Sequence, residues 1–280
     1  MSLSSMLFRT ARVFYRATPI QAVRLMYYRA FSWLVRHRVV QRQVDGATLD
    51  LDLGETIDLT LFLGEFEKDV RAAIAEHCKP GMTVIDIGAN VGAHALLFAR
   101  LVAPNGRVVA FEPTEYAFRK LERNVALNPS FNVTTVHTAL AEEAGPAQTV
   151  NFRSSWPTFG PRRDGPSIVA FERLDGWWNR NAPGRVDLIK LDVDGNEYGV
   201  LAGAEDILRN SHPVVLMEVV GPHLDDEARN PLHILERHGY SFRDVRTGKA
   251  TSIAAMRDRL PRNDTGLTVS LNIIAEAAPS

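Results

Sequence analysis

Cysteine is nearly absent from this chain. Its 280 residues hold one, Cys78, so no internal disulfide forms and nothing here calls for an oxidising compartment. Long apolar runs are missing as well. None approaches the roughly 18–20 residues of a membrane-spanning helix, and no unbroken apolar stretch near the N-terminus resembles a secretory signal. Acid is absent from the first 44 residues, which carry eight arginines (Arg9, Arg12, Arg16, Arg24, Arg29, Arg36, Arg38 and Arg42). The rest of the chain therefore has 24 of the 32 Lys and Arg against all 33 Asp and Glu. A basic leader on an acidic body is the result, and an acidic body argues against nucleic acid as a partner. With 45% hydrophobic and 23% charged residues, the chain reads as globular with one sizeable core, not as collagen-like or disordered.

Two regions follow from this asymmetry: a helical extension over 1–43 and a main domain over 44–280. In the extension Leu7, Phe8, Ala11, Phe14 and Tyr15 recur at helical spacing, as do Val23, Met26, Tyr27, Ala30, Phe31 and Leu34, with Pro19 between the sets. Arginines lie between the apolar residues. Such a segment fits a helix on an anionic membrane face, a flap on the main domain or on a second copy in a homo-oligomer, or an organellar leader. The body carries no secretory or membrane signal and is expected in the cytoplasm, with peripheral membrane contact through 1–43.

Residues 44–63 read as an extended segment with turns at Asp45-Gly46 and Gly54. Beyond Glu65 a regular alternation begins. Helices are expected over 67–77, 93–102, 114–128, 197–210 and 231–238. Strands are expected over 83–87, 107–111, 132–140, 186–193 and 213–219, with two pairing strands at 240–245 and 267–276. Strands joined by helices call for right-handed crossovers and a parallel sheet covered on both faces. Ligands of such sheets bind outside the carboxyl ends of the strands. The least patterned stretch, 154–165, reads as a loop over the site.

The first strand end reads Val-Ile-Asp-Ile-Gly-Ala-Asn-Val-Gly, Val84 to Gly92. Gly88 and Gly92 bracket Asn90 in a tight turn that opens a helix, whose free N–H groups face the ligand. A P-loop would need Gly-Lys-Ser/Thr, and a dinucleotide fold G-x-G-x-x-G; neither is present. Asp86 would repel a pyrophosphate but suits a cation. S-adenosylmethionine (SAM) offers a sulfonium and an ammonium, and its carboxylate suits the helix N–H groups. Glu112, 26 residues after Asp86, closes the next strand, where an acid can accept from both ribose hydroxyls.

These blocks resemble the FkbM family of class I SAM-dependent methyltransferases. The resemblance rests on VIDIGANVGAHALLFAR, GRVVAFEPTEYAFRKLERNVALN, DLIKLDVDGNEYGVLAGA and PVVLMEV, with Gly64-Glu-Phe-Glu67 upstream. It implies a Rossmann-like α/β three-layer sandwich with a mostly parallel seven-stranded sheet ending in an antiparallel hairpin. SAM is the implied donor and a hydroxyl the implied acceptor, on a sugar or glycan, a lipid-linked saccharide or a secondary metabolite. The implied cofactor contacts are Glu67, Asp86, Gly88, Asn90, Gly92, Glu112, Ala139 and Asp192. Ala139 stands near where many such enzymes place an acid for the adenine amine, so backbone and apolar packing would hold the base. Asp192-Val-Asp-Gly-Asn-Glu197 departs from the family's usual Asp-Val-Glu-Gly-Ala-Glu.

Methylating a hydroxyl needs its proton removed, so a general base or a metal is expected. Asp192, Asp194, Glu197, Glu218, His94 and His223 stand at strand or helix ends. His94, Asp192 and Glu218 are the catalytic candidates, His94 because imidazole titrates near neutrality. Asp194 with its neighbours offers either a carboxyl of raised pKa or a seat for a divalent cation such as Mg²⁺. The alternatives in function are a nicotinamide-dependent oxidoreductase and a catalytically silent binding module at a membrane surface. The Asn/Asp-Pro-Pro-Tyr/Phe motif of amine-methylating enzymes is missing after the fourth strand, which favours oxygen as acceptor.

Overall fold

The computed structural model describes residues 21–260 and 270–278. The first helix read in the leader, part of the strand read over 267–276 and the side chain of His223 lie outside what it describes. Helix α1 (Gln21–Val35) leads into a hairpin of β1 (Val39–Val44) and β2 (Ala47–Asp52), turned at Asp45-Gly46. Then come α2 (Thr56–Leu63), α3 (Lys68–His77), β3 (Thr83–Ile87), α4 (Ala93–Val102), β4 (Arg107–Phe111), α5 (Glu115–Ala126) and β5 (Val133–Val136). The middle of the chain holds β6 (Ala139–Leu140), β7 (Gly145–Val150), β8 (Ser167–Glu172) and α6 (Leu174–Asn181). After β9 (Leu188–Leu191) follow α7 (Glu197–Ala202), α8 (Glu205–Ser211), β10 (Val214–Val220), α9 (Gly221–Asp225), α10 (Pro231–Arg237), β11 (Tyr240–Asp244), β12 (Ala250–Thr251), α11 (Ile253–Arg259) and β13 (Ser270–Ala277).

Eight strands form the central sheet among the described residues, in the order β12-β11-β13-β10-β9-β3-β4-β5. Strands β10, β9, β3, β4 and β5 pair in parallel, whereas β13 runs antiparallel to both β10 and β11. The architecture is therefore the expected α/β sandwich with a reversed strand at one end. The two-residue β12, paired to β11, raises the count from seven to eight. Four readings need correction. The extension read as helical to 43 ends in β1, which pairs with β2 across the 43/44 boundary, and residues 56–63, read as part of an extended segment, form α2. The strand read over 132–140 breaks at His137-Thr138: β5 stays in the main sheet, and β6 turns away to pair with β8 in a separate three-stranded sheet, order β6-β8-β7. The helix read over 197–210 is two helices, with Gly203-Ala204 between them.

The central strands are apolar on both faces because both are covered. Ile85, Ile87, Val109, Phe111, Ile189 and Leu191 face one helical layer, and Val84, Val108, Ala110, Leu188 and Leu216 the other. A third cluster joins α1, the β1–β2 hairpin and α2 through Phe31, Val35, Leu49, Leu51, Leu59 and Phe62. Side-chain amides on α5 fasten that hairpin. Asn124 Oδ1 accepts from the Asp50 N–H and Asn128 Oδ1 from the Thr48 N–H, both at 2.8 Å. Asn124 Nδ2 also donates to the Val91 carbonyl at 2.8 Å, so the hairpin and the glycine turn share one anchor. Among the described residues no helix is long and apolar enough to cross a membrane.

Candidate functional site

Parallel pairing places the site's side chains in one row. Asp86 on β3 and Lys190 on β9 are register partners, and Lys190 is in turn the partner of Leu216 on β10. Two residues further along, the pleat returns to the same face, which sets Asp192 beside Glu218. Lys190 is buried, at 4% exposure, with its Nζ 3.1 Å from Asp192 Oδ2 and 3.9 Å from Asp86 Oδ1. Burial opposes its charge, but Asp192, Asp86 and Glu67 outweigh that and hold its pKa above the usual value.

Asp86 is fully buried, and neither carboxylate oxygen completes a hydrogen bond of ordinary geometry. Burial pushes its pKa up to about 6, against the pull of Lys190. The turn after β3 takes positive φ at Gly88 (79°), Asn90 (48°) and Gly92 (86°). Gly88 is required by close packing: a Cβ there would stand 1.8 Å from the carbonyl oxygen of Asp192. Both Gly88 and Ala89 donate their N–H to the Phe111 carbonyl, at 3.0 and 2.9 Å, which locks the turn to the neighbouring strand end.

Glu112 at the end of β4 is already engaged. Its Oε2 accepts from the Asn90 N–H at 2.9 Å, and its Oε1 accepts from the Thr114 N–H at 2.9 Å and the Thr114 hydroxyl at 2.6 Å. Burial raises its pKa, those three bonds lower it and Asp86 raises it. A carboxylate accepts about four hydrogen bonds, so Oε2 keeps capacity for a hydroxyl donor. Thr114 was not read as a site residue from the sequence. Its position two residues after a strand-end acid was the available signal. Ala139, in β6, is 6% exposed and pairs with Phe171; the Glu112 N–H reaches the Val136 carbonyl at 3.1 Å, so β6 follows the adjacent strand end.

Glu67 precedes α3 with φ 35°, a strained conformation for its type, and its Oε2 lies 3.4 Å from His94 Nε2. Its side chain is 37% exposed, yet partial desolvation pushes its pKa up to about 7, opposed by Lys190 and reinforced by Asp192 and Asp86. His94 itself is 6% exposed under the ring of Phe66, whose centroid is 5.4 Å away. Its burial, with Lys190 and Arg71 nearby, lowers its pKa well below the ordinary imidazole value. A buried imidazole of that kind is a weak proton acceptor. Its Nε2 completes no hydrogen bond of ordinary geometry, so the imidazole packs beside Glu67 and is poorly suited to the role of base read from the sequence.

Asp192, Asp194 and Glu218 bring carboxylate oxygens within 4.8 Å of one another. Asp194 sits at φ 52° in the turn after β9, and withdrawal from water with Asp192 and Glu197 nearby raises its pKa. Glu218 is half-buried; desolvation, then Asp192, push its pKa up to about 7, while a hydrogen bond from Ser270 restrains the rise. Glu197 is different. Its Oε1 accepts from the N–H groups of Val193 and Gly195 at 3.3 Å, so it closes the turn. Residues 154–165 form a loop, as read, latched by buried Glu55. That carboxylate accepts from Ser155 Oγ at 2.9 Å, Trp156 N–H at 2.8 Å and Tyr116 OH at 3.1 Å. Glu55 went unnoticed because its partners lie 61 to 101 residues away.

The model of the methyltransferase FkbM domain matches residues 86–245, from Asp86 through β11. The chain belongs to the FkbM methyltransferase family. The FkbM domain is 28% identical over 149 residues to the 2-O-methyltransferase NoeI of Sinorhizobium fredii, an overlap covering 46% of this chain and 60% of that protein. It is 26% identical over 157 residues to the methyltransferase sdnD of Sordaria araneosa, covering 44% and 60%. The chain thus spans about 60% of the length of the curated relatives it matches. The crystal structure of an FkbM methyltransferase from Methylobacillus flagellatus aligns with 90% of this chain and 59% of that one, at 14% identity and a TM-score of 0.45.

The donor and acceptor inventory of the FkbM domain fits SAM. Asp86 Oδ1 and Oδ2 and Asn90 Oδ1 are buried acceptors without a hydrogen bond of ordinary geometry, although Lys190 and the Ala95 N–H lie near Asp86. Unpaired buried acceptors are costly, and a ligand that relieves them has to donate. An ammonium group and ribose hydroxyls do so. The N–H groups opening α4 offer the complementary seat for a carboxylate.

Proposed function

We propose that this chain is a SAM-dependent O-methyltransferase, acting on a hydroxyl of a sugar or glycan, a lipid-linked saccharide or a secondary metabolite. The observation that carries the reading is the convergence of Asp192, Asp194 and Glu218 within 4.8 Å, beside the Asp86–Gly92 turn. The similarity to a 2-O-methyltransferase points the same way.

Asp86 and Glu67 hold the ammonium end of the donor, and Glu112 with Asn90 holds the ribose. The apolar wall at Ala139 flanks the base. When bound, SAM supplies a methyl group on a positively charged sulfur, and the acceptor oxygen displaces it. Glu218 takes the acceptor's hydroxyl proton, its pKa of about 7 suiting it to accept near neutrality. Asp192 keeps that pKa high by like-charge repulsion. Lys190 in turn donates to Asp192 Oδ2 at 3.1 Å and fixes its position.

A divalent cation such as Mg²⁺ on the same three carboxylates is the second reading, favoured by their mutual distances. Against it, the Lys190 ammonium already lies 3.1 Å from Asp192 and repels a second positive charge. Methyl transfer from tritiated SAM to a panel of saccharides tests both readings. Turnover should rise with pH through about 7, survive excess EDTA, and fall by about a hundredfold or more in Glu218→Gln. Full activity in that variant removes Glu218 as base; loss in EDTA restored by Mg²⁺ establishes the metal. NADH binding without SAM binding in parallel titrations would overturn the reading altogether.

A further inference from the structure

Over residues 28–35, helix α1 is anchored on one side and bare on the other. Phe31 and Val35, one helical turn apart, are 7% and 2% exposed, whereas Trp33 and Leu34 are 57% and 70% exposed. Val39, opening β1, is 60% exposed. Three large apolar side chains thus stand in solvent over seven residues. The charges on the same segment are of one sign, and the nearest acid, Asp52 opposite Val39, is paired with Arg163. Arg29 and Arg38 are exposed, and Arg36 lies over the Trp33 ring, 4.5 Å from its centroid. No acidic residue precedes Asp45. Among the described residues, Arg29, Arg36 and Arg38 form no ion pair with Asp or Glu.

A second set continues this face. The loop over 151–166 exposes Phe152 and Phe159, at 43% and 39%, beside Arg153 and Arg162. Arg163 of that loop donates to the Arg36 carbonyl at 3.5 Å, which joins the two sets. At its other end, Arg153 acts electrostatically on Asp194. The apolar and basic surface therefore runs from α1 to the edge of the carboxylate cluster.

We propose that this face docks on an anionic lipid surface. Tryptophan favours the water–hydrocarbon boundary, leucine and valine enter the acyl layer, and arginines meet headgroup phosphates. A second copy of the chain is a poorer occupant, because a two-fold contact sets Arg29, Arg36 and Arg38 against their own images. Nucleic acid would meet the arginines but would leave Trp33, Leu34 and Val39 in water. Docked in this way, the carboxylate cluster faces the membrane side, within reach of an acceptor anchored there; that consequence rests on the proposed methyl transfer, whereas the docking itself does not.

Flotation of the full chain with vesicles tests the docking. The protein should float with phosphatidylglycerol-containing vesicles, stay behind with pure phosphatidylcholine, and lose binding as salt rises. Trp33→Ser with Leu34→Ser should lower the apparent affinity roughly tenfold or more, and Arg29→Gln with Arg38→Gln by a similar factor. Melting temperature and SAM affinity should stay unchanged in both double variants, which separates lost docking from lost fold or a failed donor site. Equal flotation on both vesicle types, variants that bind like the parent, or a parent dimer that the Trp33/Leu34 variant dissociates would each overturn the proposal.

Discussion

Lys190→Met tests the electrostatics on which the site is built. Lys190 is 4% exposed and stands between Asp86 and Asp192 at 3.9 and 3.1 Å. Methionine is close to lysine in length and leaves little cavity, so what the substitution removes is the charge. Asp86, fully buried and without a hydrogen bond to either oxygen, then has no counter-ion. Breaking a buried pair on one side costs about 3–5 kcal/mol. At about 2–4 °C per kcal/mol for a domain of this size, the apo protein should melt roughly 6–20 °C lower at alkaline pH. The dependence on pH identifies the cause. Asp86 has a folded pKa of about 6, above its ordinary 3.8. An acid raised on folding stabilises while protonated, fully below the unfolded value, and that contribution is lost as pH rises through the folded value. Lys190 is the larger of two influences that lower the Asp86 pKa, ahead of the Ala95 N–H, so its removal moves the folded value higher and extends the loss above 6. The gap in melting temperature between parent and variant should therefore be small near pH 5 and widen steadily towards pH 8. Thermal melts by circular dichroism across that range, without SAM, measure it. A gap equal at both ends would mean that Lys190 acts through packing, and the charge argument would fail.

Two further outcomes follow from the same geometry. Asp86→Asn and Glu112→Gln should each weaken SAM binding by about 1–3 kcal/mol in calorimetric titration. Asp86→Asn should also hold or raise the melting temperature at pH 8, since it removes a buried charge, and falling stability with unchanged affinity would contradict the assignment. Gly88→Ala should destabilise by about 2–4 kcal/mol, combining left-handed strain with overpacking against Asp192. Gly81→Ala, at φ 87° with nothing within 4 Å of the added Cβ, should cost only about 1–2 kcal/mol; equal losses in urea denaturation would refute the close-approach argument at Gly88.

What could be read from the sequence depended on how local its cause was. Asp86 and Glu112 were legible because each ends a short apolar run buried on both faces, and because a parallel sheet carries such ends to one crevice. Asp192 and Glu218 were legible as strand-end candidates for the same reason, whereas their convergence with Lys190 shows only in the fold, where a period of two puts alternate residues on one face and neighbouring parallel strands bring those faces together. The small sheet of β6, β7 and β8 left no such trace. Gly145–Val150 is mostly exposed and mixes Gly, Pro, Gln and Thr, so it carries no alternation. Its partner β8 begins 17 residues later, and the pairing shows only once the chain is folded. Glu55 is hidden by the same rule, since its stabilisation comes from Ser155, Trp156 and Tyr116 and nothing nearby announces it.

His94 shows how a location can be legible while a chemical role is not. Its place in the first turn of α4 follows from Gly92, and the structure sets it beside Glu67, close to the donor turn. Whether an imidazole there accepts a proton depends on solvation, and solvation is decided by Phe66 above it, Lys190 across the site and Arg71 behind. Those residues come from separate parts of the chain, and burial with the charges of Lys190 and Arg71 lowers the imidazole's pKa well below its ordinary value, while desolvation raises those of Glu67 and Glu218 to about 7. Burial disfavours charge of either sign, so one cleft lowers a base and raises two acids. That opposite movement is why the proposed mechanism gives the proton-accepting role to a carboxylate and not to the histidine.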